Sequence, residues 1–242
     1  MSEHLHFAEH TLQEVALVIM GLVYTTRLIW LFRHKGGRER QPQTGLPGTT
    51  KARGVLYSWL IIAMPWEMES TRRKFFLYSQ FVIFHMAVVA AIGLSFVIPY
   101  WPQLLELPLV VPALQAFIGA GFVVGVLRII RRVGNVYLRA ISSPDDYFSL
   151  LLLTVWFAFA FFSAPNHPGQ GETVLLVYFY LTAFFLLYVP FSKISHYLYY
   201  PFTRYWFGKS MGYRGTYPLR RGPRPRSYPA HEVANQKVTV ST

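Results

Sequence analysis

Five stretches of the chain are almost wholly apolar and are long enough to cross a membrane as helices. A helix rises about 1.5 Å per residue, so the hydrocarbon core requires roughly 20 helical residues. The predicted spans cover residues 12–33, 75–100, 105–130, 147–163 and 173–197. A sixth apolar stretch, Val55 to Pro65, is too short to span, so it is predicted to lie at the interface or to re-enter. The pattern therefore predicts an all-α integral membrane bundle of five transmembrane helices.

Charged residues sort to the two ends of these predicted spans. All 23 Lys and Arg residues fall in the segments 27–74, 128–139 and 193 onward, whereas Glu3, Glu9, Glu14, Glu106 and Glu172 lie at the opposite ends. Basic segments beside spans stay in the cytoplasm during insertion. We therefore expect a multi-pass protein of the cytoplasmic membrane, with the N-terminus outside and the C-terminus in the cytoplasm.

Composition divides the chain into a membrane domain and a tail. Residues 1–208 hold the five spans, including a Gly-, Pro- and charge-rich cytoplasmic linker at 34–73, and residues 209–242 form a basic Gly/Pro-rich cytoplasmic tail that we expect to be extended. The N-terminal segment has no basic region or small-residue cleavage site, so the first span is predicted to be retained. The net charge of +12 is split among short loops beside spans, which favours anionic lipid headgroups of the bilayer and an acidic cytoplasmic partner over nucleic acid.

Small residues recur at four-residue spacing on two of the spans. Gly121 and Gly125 on the third span would let another helix approach closely. On the second span, Ala87, Ala91 and Ser95 leave room either for a neighbouring helix or for a flat macrocycle.

Two of the eight histidines lie in or directly after long apolar segments, namely His85 and His196. Two imidazoles on separate helices are what a low-spin haem iron needs as axial ligands. Such histidines also form hydrogen bonds between helices or line water cavities. Counted from the outer helix ends, their depths differ by about 12 Å, so spacing leaves the pairing open. The chain has no cysteine, which excludes iron–sulfur clusters and thioether-linked haem in this subunit.

The segment from Pro190 to His196 resembles the last span of the gamma subunit of respiratory nitrate reductase, in which a Pro-Phe-Ser-basic-x-x-His motif ends in a haem ligand. Residues 64–85 and 139–153 resemble more closely the short cytochrome b subunits of the Hmc-, Tmc- and Dsr-type complexes of sulfate reducers. The resemblance extends over all five spans. It implies that His85 and His196 are the axial ligands of a haem b iron.

The chain departs from that family at the outer pair of haem ligands. The nitrate reductase subunit binds two haems with four histidines, whereas this chain has Tyr178 at the corresponding place in the last span and no histidine near Ile92. The resemblance therefore implies one haem b, near the cytoplasmic side.

Several polar residues are candidates for contacts around such a haem. Lys193, Arg128 and Arg72 could pair with its propionates, although positive-inside anchoring also explains them. Gln80, Gln115, Tyr78 and Tyr178 could hydrogen-bond a quinone such as menaquinone, or simply bond neighbouring helices. Asp145 and Asp146 are assigned a structural role at the start of the fourth span.

The resemblance implies an electron-transfer subunit of an oxidoreductase complex. Its haem would exchange electrons between quinone or a periplasmic multihaem cytochrome c and a cytoplasmic iron–sulfur subunit similar to the catalytic subunit of heterodisulfide reductase, with other membrane subunits as further partners. The alternatives are a haem-free membrane anchor and a transporter. A transporter would normally show mid-membrane carboxylates or repeat symmetry, which the sequence lacks.

Overall fold

The computed structural model describes residues 2–34, 36–37, 40–41 and 48–219, apart from the side chains of Ser70 and Gln170. Every regular element within these residues is helical. The seven longest helices are α1 (Glu3–Arg33), α2 (Lys51–Leu60), α3 (Phe75–Tyr100), α4 (Val110–Gly134), α5 (Pro144–Ser163), α6 (Thr173–Tyr188) and α7 (His196–Arg214). The all-α prediction is confirmed.

Five helices of the described chain are long and apolar enough to cross a membrane, which confirms the number of spans. They are Glu3–Arg33, Phe75–Tyr100, Val110–Gly134, Pro144–Ser163 and Thr173–Phe191. The first begins nine residues before the predicted position 12, because the Ser2 hydroxyl caps the backbone N–H of Leu5 and the intervening segment 7–12 continues as a π-helix.

The last predicted span, 173–197, is wrong at its C-terminal end. Helix α6 ends at Tyr188, a 3₁₀ turn follows at Val189–Phe191, and Ser192 is extended. Pro190 has no backbone N–H with which to continue the α-helical ladder. His196 therefore begins a new helix, α7, rather than ending the span.

The chain divides into two compact units, of which the first comprises Met1–Arg38 and Met68–Phe202. Within it α3 packs against α4, α4 against α5, and α6 against both α5 and α1. The aromatic residues Trp156, Phe157, Tyr178 and Phe179 are fully buried at its centre. Bulky rings from two adjacent helices thus fill the core.

Small residues hold the helices of this unit close together, as the sequence predicts. A Cβ atom on Gly121 would overlap Ala87 of α3, and one on Gly125 would overlap Thr154 of α5. Ala87, Ala91 and Ser95 are all buried, so neighbouring helices rather than a macrocycle occupy that stripe.

The second unit comprises Glu39–Glu67 and Thr203–Thr242, and its described part pairs α2 with residues 203–214 of α7. Gly212 of the predicted extended tail is helical here, because it and the preceding Gly208 lie against Gly54 where a side chain would not fit. Residues 209–214 thus depart from the predicted extended conformation, and residues 220–242 lie outside the described chain.

Candidate functional site

The two histidines that the sequence singles out lie side by side. The ring centroids of His85 on α3 and His196 at the start of α7 are 6.3 Å apart, and the ring planes are nearly perpendicular at 80°. His85 is half-buried and His196 is exposed. The fold therefore brings together two imidazoles that are more than a hundred residues apart in sequence.

Both imidazoles are oriented by backbone carbonyl groups. The Nδ1 atom of His85 lies 2.7 Å from the carbonyl oxygen of Phe81, and that of His196 lies 3.0 Å from the carbonyl oxygen of Lys193. A carbonyl only accepts, so each Nδ1 carries the proton and donates it. In the neutral ring each Nε2 atom is then the acceptor, which is the form of imidazole that binds a metal ion.

The position of His196 depends on the break between α6 and α7. The Asp145 carboxylate at the start of α5 accepts the backbone N–H of Lys193 at 3.1 Å and the hydroxyl of Tyr188. The adjacent Asp146 accepts the Ser143 N–H at 2.8 Å, which confirms the structural role predicted for this pair at the helix start. The Asp145 carboxylate thus fixes the turn that carries His196.

A second contact secures the start of α7. The hydroxyl of Tyr197 donates to that of Tyr24 on α1 at 2.7 Å, with the rings edge to face. Burial raises the pKa of Tyr197, so this hydroxyl keeps its proton at neutral pH. The contact connects the residue next to His196 to the first span.

A cavity of ≈ 400 Å³ lies against His196 and is rich in cations. Its lining includes Arg128, Arg131, Arg132 and Lys193, together with Gln80 and one carboxylate, that of Asp146. His85 is close to His196 but is not part of this lining. Four cations and one carboxylate make the cavity a place for an anionic group.

The three predicted propionate partners have different surroundings in the structure. Arg128 lines the cavity with its guanidinium 4.9 Å from the ring centroid of Phe84. Lys193 also lines it, but its ammonium lies 2.6 Å from Asp146 and 2.8 Å from the Ser143 hydroxyl. Arg72 is exposed on the short helix Glu69–Arg73 and is not among the lining residues.

Sequence reasoning missed Arg131 and Arg132 as cavity residues. Both follow Arg128 by three and four positions, the spacing that places side chains on one face of a helix. That spacing is the signal that could have identified them.

The candidate quinone ligands have different surroundings. The Tyr178 hydroxyl is fully buried and donates to the carbonyl of Ala91 at 2.6 Å, and the Gln115 amide donates to the carbonyl of Phe161 at 3.2 Å. Both therefore bond neighbouring helices. The Tyr78 ring lies 6.2 Å from that of Phe81, and of the four candidates only Gln80 lines the cavity.

Aromatic packing fills the bundle around Tyr178. The rings of Trp156 and Phe185 are stacked with centroids 5.1 Å apart, and the indole N–H donates to the Thr182 hydroxyl at 2.8 Å. The Tyr178 ring lies parallel to that of Trp156 at 6.3 Å. Tyr178 is thus a buried core residue whose hydroxyl is hydrogen-bonded.

The described residues contain no cluster of three His, Cys, Asp or Glu side chains that could hold a bare metal ion. A porphyrin supplies four ligands to its own iron, so a haem iron would need only two ligands from the protein. His85 and His196 are thus a donor set suited to a haem iron. Compared with models of known protein families, with curated protein sequences and with solved structures, the chain matches none.

Proposed function

We propose that this protein is the membrane cytochrome b subunit of a respiratory redox complex and that one haem b is held by His85 and His196. The haem would supply a one-electron carrier. It would pass electrons between quinone or a periplasmic multihaem cytochrome c and a cytoplasmic iron–sulfur subunit resembling the catalytic subunit of heterodisulfide reductase. The resemblance of residues 64–85 and 139–153 to the short cytochrome b subunits of sulfate reducers supports these partners.

The separation and orientation of the two imidazoles carry the proposal. A metal–imidazole bond is about 2 Å long and the ring centroid lies about 1 Å further, so two axial ligands of one iron have centroids roughly 6 Å apart. The centroids of His85 and His196 are 6.3 Å apart, and both Nδ1 atoms donate to carbonyl groups. This is the outer-sphere bonding that fixes the tautomer of ligand histidines.

The cations of the cavity suit the haem propionates. Arg128 and Arg131 line the cavity beside His196 and could neutralise two carboxylates. We expect Lys193 to contribute less to neutralising the propionates than the sequence indicates, because Asp146 already binds its ammonium. Arg72 remains a candidate only because it lies within residues 64–85, one of the stretches that carry the family resemblance.

The packing around Tyr178 supports a single haem. A second macrocycle would have to displace Trp156 and Tyr178, both of which are fully buried and hydrogen-bonded. A quinone such as menaquinone could instead approach Gln80, whose side chain faces the cavity.

The charge distribution supports the topology that we propose. The cations of the first unit lie near the ends of α1, α4 and α6 and near the starts of α3 and α5, which are the ends predicted to face the cytoplasm. We therefore place the N-terminus outside the cytoplasmic membrane and the C-terminus in the cytoplasm.

The experiment that tests the proposal is a pyridine haemochrome assay on the purified full-length chain. We expect one haem b per chain, lost in both His85→Ala and His196→Ala and retained in a control, His10→Ala, whose histidine lies near the start of α1. Absence of a b-type spectrum in the wild type would leave the haem-free anchor or the transporter. Retention of haem in either site variant would exclude that residue as a ligand.

The ring orientation adds a spectroscopic signature to the same experiment. Axial imidazoles at 80° to each other should give the oxidised haem a highly anisotropic low-spin electron paramagnetic resonance signal with one dominant low-field feature. Exogenous imidazole should restore haem binding to His196→Ala, whose ring is exposed in the native chain. A high-spin signal in the wild-type protein would contradict double histidine ligation.

A further inference from the structure

The helix pair of the second unit, formed by residues 51–60 of α2 and 203–214 of α7, is held together by its smallest residues. Gly54 and Ser58 of α2 face Gly208 and Gly212 of α7, and a Cβ atom on Gly208 would lie 2.6 Å from the Gly54 carbonyl oxygen. The Arg204 side chain also donates to the carbonyl of Ser58 at 2.9 Å. Because the small residues face inward, the large side chains project to the outside of the pair.

An apolar groove runs along one side of this helix pair. It encloses ≈ 440 Å³ and its wall includes Val55, Leu56 and Trp59 of α2 and Tyr205 of α7. Leu56 is 57% exposed and Trp59 is 43% exposed. The groove thus presents partly exposed aliphatic and aromatic surface.

Two lysines complete the lining of the groove. The ammonium of Lys209 lies 4.9 Å from the ring centroid of Trp206, and that of Lys51 lies 5.2 Å from that of Tyr213. Within the described chain neither lysine is paired with a carboxylate, and the groove lining contains no acidic residue. Both charges are therefore available to an anion.

We propose that this groove binds one anionic glycerophospholipid, with the phosphate between Lys51 and Lys209 and an acyl chain along Val55, Leu56 and Trp59. Lysine and tryptophan are the side chains typical of the boundary between headgroups and hydrocarbon, where the lysine stem is apolar and its head charged. Negative headgroups attract such basic segments. The five apolar helices of the first unit place lipid in the surroundings of the chain.

The apolar wall favours a lipid over a soluble phosphate. A free phosphate would use the two ammonium groups but would leave Val55, Leu56 and Trp59 in contact with water. A lipid uses both the charged and the apolar lining of the groove. The inference does not depend on haem binding by the first unit.

The test is lipid retention by the full chain purified in mild detergent with equal amounts of phosphatidylglycerol and phosphatidylcholine, measured by native mass spectrometry. We expect the wild type to retain one phosphatidylglycerol in preference to phosphatidylcholine. Lys51→Gln with Lys209→Gln should reduce that retention roughly tenfold. The control Arg33→Gln with Lys74→Gln removes the same charge outside the helix pair and should retain the lipid.

Two further measurements test whether the phosphate belongs to a lipid and whether the apolar side chains of the groove contribute to binding. Glycerol 3-phosphate, which lacks acyl chains, should not displace the lipid, and Leu56→Gln should weaken retention although both lysines remain. Displacement by glycerol 3-phosphate, equal loss in the control, or retention in the double lysine variant would each overturn the proposal. Haem content measured on the same samples should not change, so failure here is distinguishable from failure of the haem assignment.

Discussion

At the scale of single residues, the structure explains why the sequence motif predicts that His196 pairs with His85 although their counted depths in the membrane differ. One straight helix over 173–197 would put this histidine about 12 Å deeper than His85. The structure instead ends α6 at Tyr188 and turns at Ser192, which brings the two rings to 6.3 Å. The sequence alone singles out His196 as a candidate ligand. The turn that positions it depends on the Asp145 carboxylate, which lies 48 positions before Lys193.

Tyr178 provides a prediction at this scale. We expect Tyr178→Phe to lower the free energy of unfolding by about 1 kcal/mol, because it removes a buried hydrogen bond to the Ala91 carbonyl, while quinol-dependent reduction is unchanged. Denaturant unfolding in detergent measures the first and stopped-flow absorbance the second.

The control for that prediction is Tyr180→Phe, which changes an exposed tyrosine two positions away and should affect neither quantity. If Tyr178→Phe slows reduction while stability is unchanged, the hydroxyl serves a quinone rather than the core.

At the scale of elements, the break between α6 and α7 and the glycine contacts decide the local structure. Sequence composition indicated that the chain after residue 208 would not be helical, yet α7 continues through Gly212 because α2 lies against Gly208 and Gly212. Intrinsic propensity favours their exclusion from a helix, and close packing overrides it. The close helix contacts at Gly121 and Gly125, by contrast, were predictable because both glycines lie within a long apolar span.

The turn before α7 gives a prediction about positioning. Asp145→Ala removes the acceptor for the Lys193 N–H, and the Lys193 carbonyl in turn holds the ring of His196. We expect haem affinity to fall at least tenfold, as for other losses of outer-sphere bonds, and the paramagnetic signal to broaden. Haem titration of the apoprotein and low-temperature spectra measure these effects.

Asp145→Asn keeps one amide oxygen and should give an intermediate affinity. The control Glu69→Ala breaks only the exposed ion pair with Arg73 and should bind haem like the wild type. Equal affinity of Asp145→Ala and wild type would show that the turn does not position His196.

Helix packing gives a prediction with a matched pair of glycines. Gly125→Ala would overlap the Thr154 side chain and should destabilise the bundle by about 1–3 kcal/mol. Gly93→Ala on α3 meets nothing within 4 Å and should leave stability unchanged or slightly higher. Thermal unfolding of both variants in detergent is the measurement, and equal effects would contradict the packing argument.

At the scale of the whole molecule, hydropathy predicted the number and order of the spans, because a membrane core imposes a minimum length on each. The ends were less predictable: α1 is lengthened by a cap at Ser2, and α6 is cut short beside Pro190. The cation-rich cavity was predictable only in part: the spacing of Arg131 and Arg132 from Arg128 places them on one helix face, but the fold shows that this face lines the cavity.

The cysteine-free sequence permits a direct test of topology. His167→Cys and Val136→Cys each introduce a single exposed thiol at opposite ends of α5. In intact spheroplasts a membrane-impermeant maleimide should label His167→Cys but label Val136→Cys only after permeabilisation. The reverse pattern would invert the proposed orientation.

The aromatic packing around Tyr178 has an electrical consequence. Along α3, the Ala91 carbonyl that Tyr178 contacts lies further than His85 from the basic end at Phe75, and rings fill the space around it. If the proposed haem is held at His85 and is the one iron of this subunit, the remaining thickness of the bundle would have no electron relay, and exchange with a periplasmic cytochrome c would need another subunit to cross it. Turnover of this subunit alone would then leave the voltage across the bilayer unchanged, and any charge separation would have to arise in a neighbouring subunit.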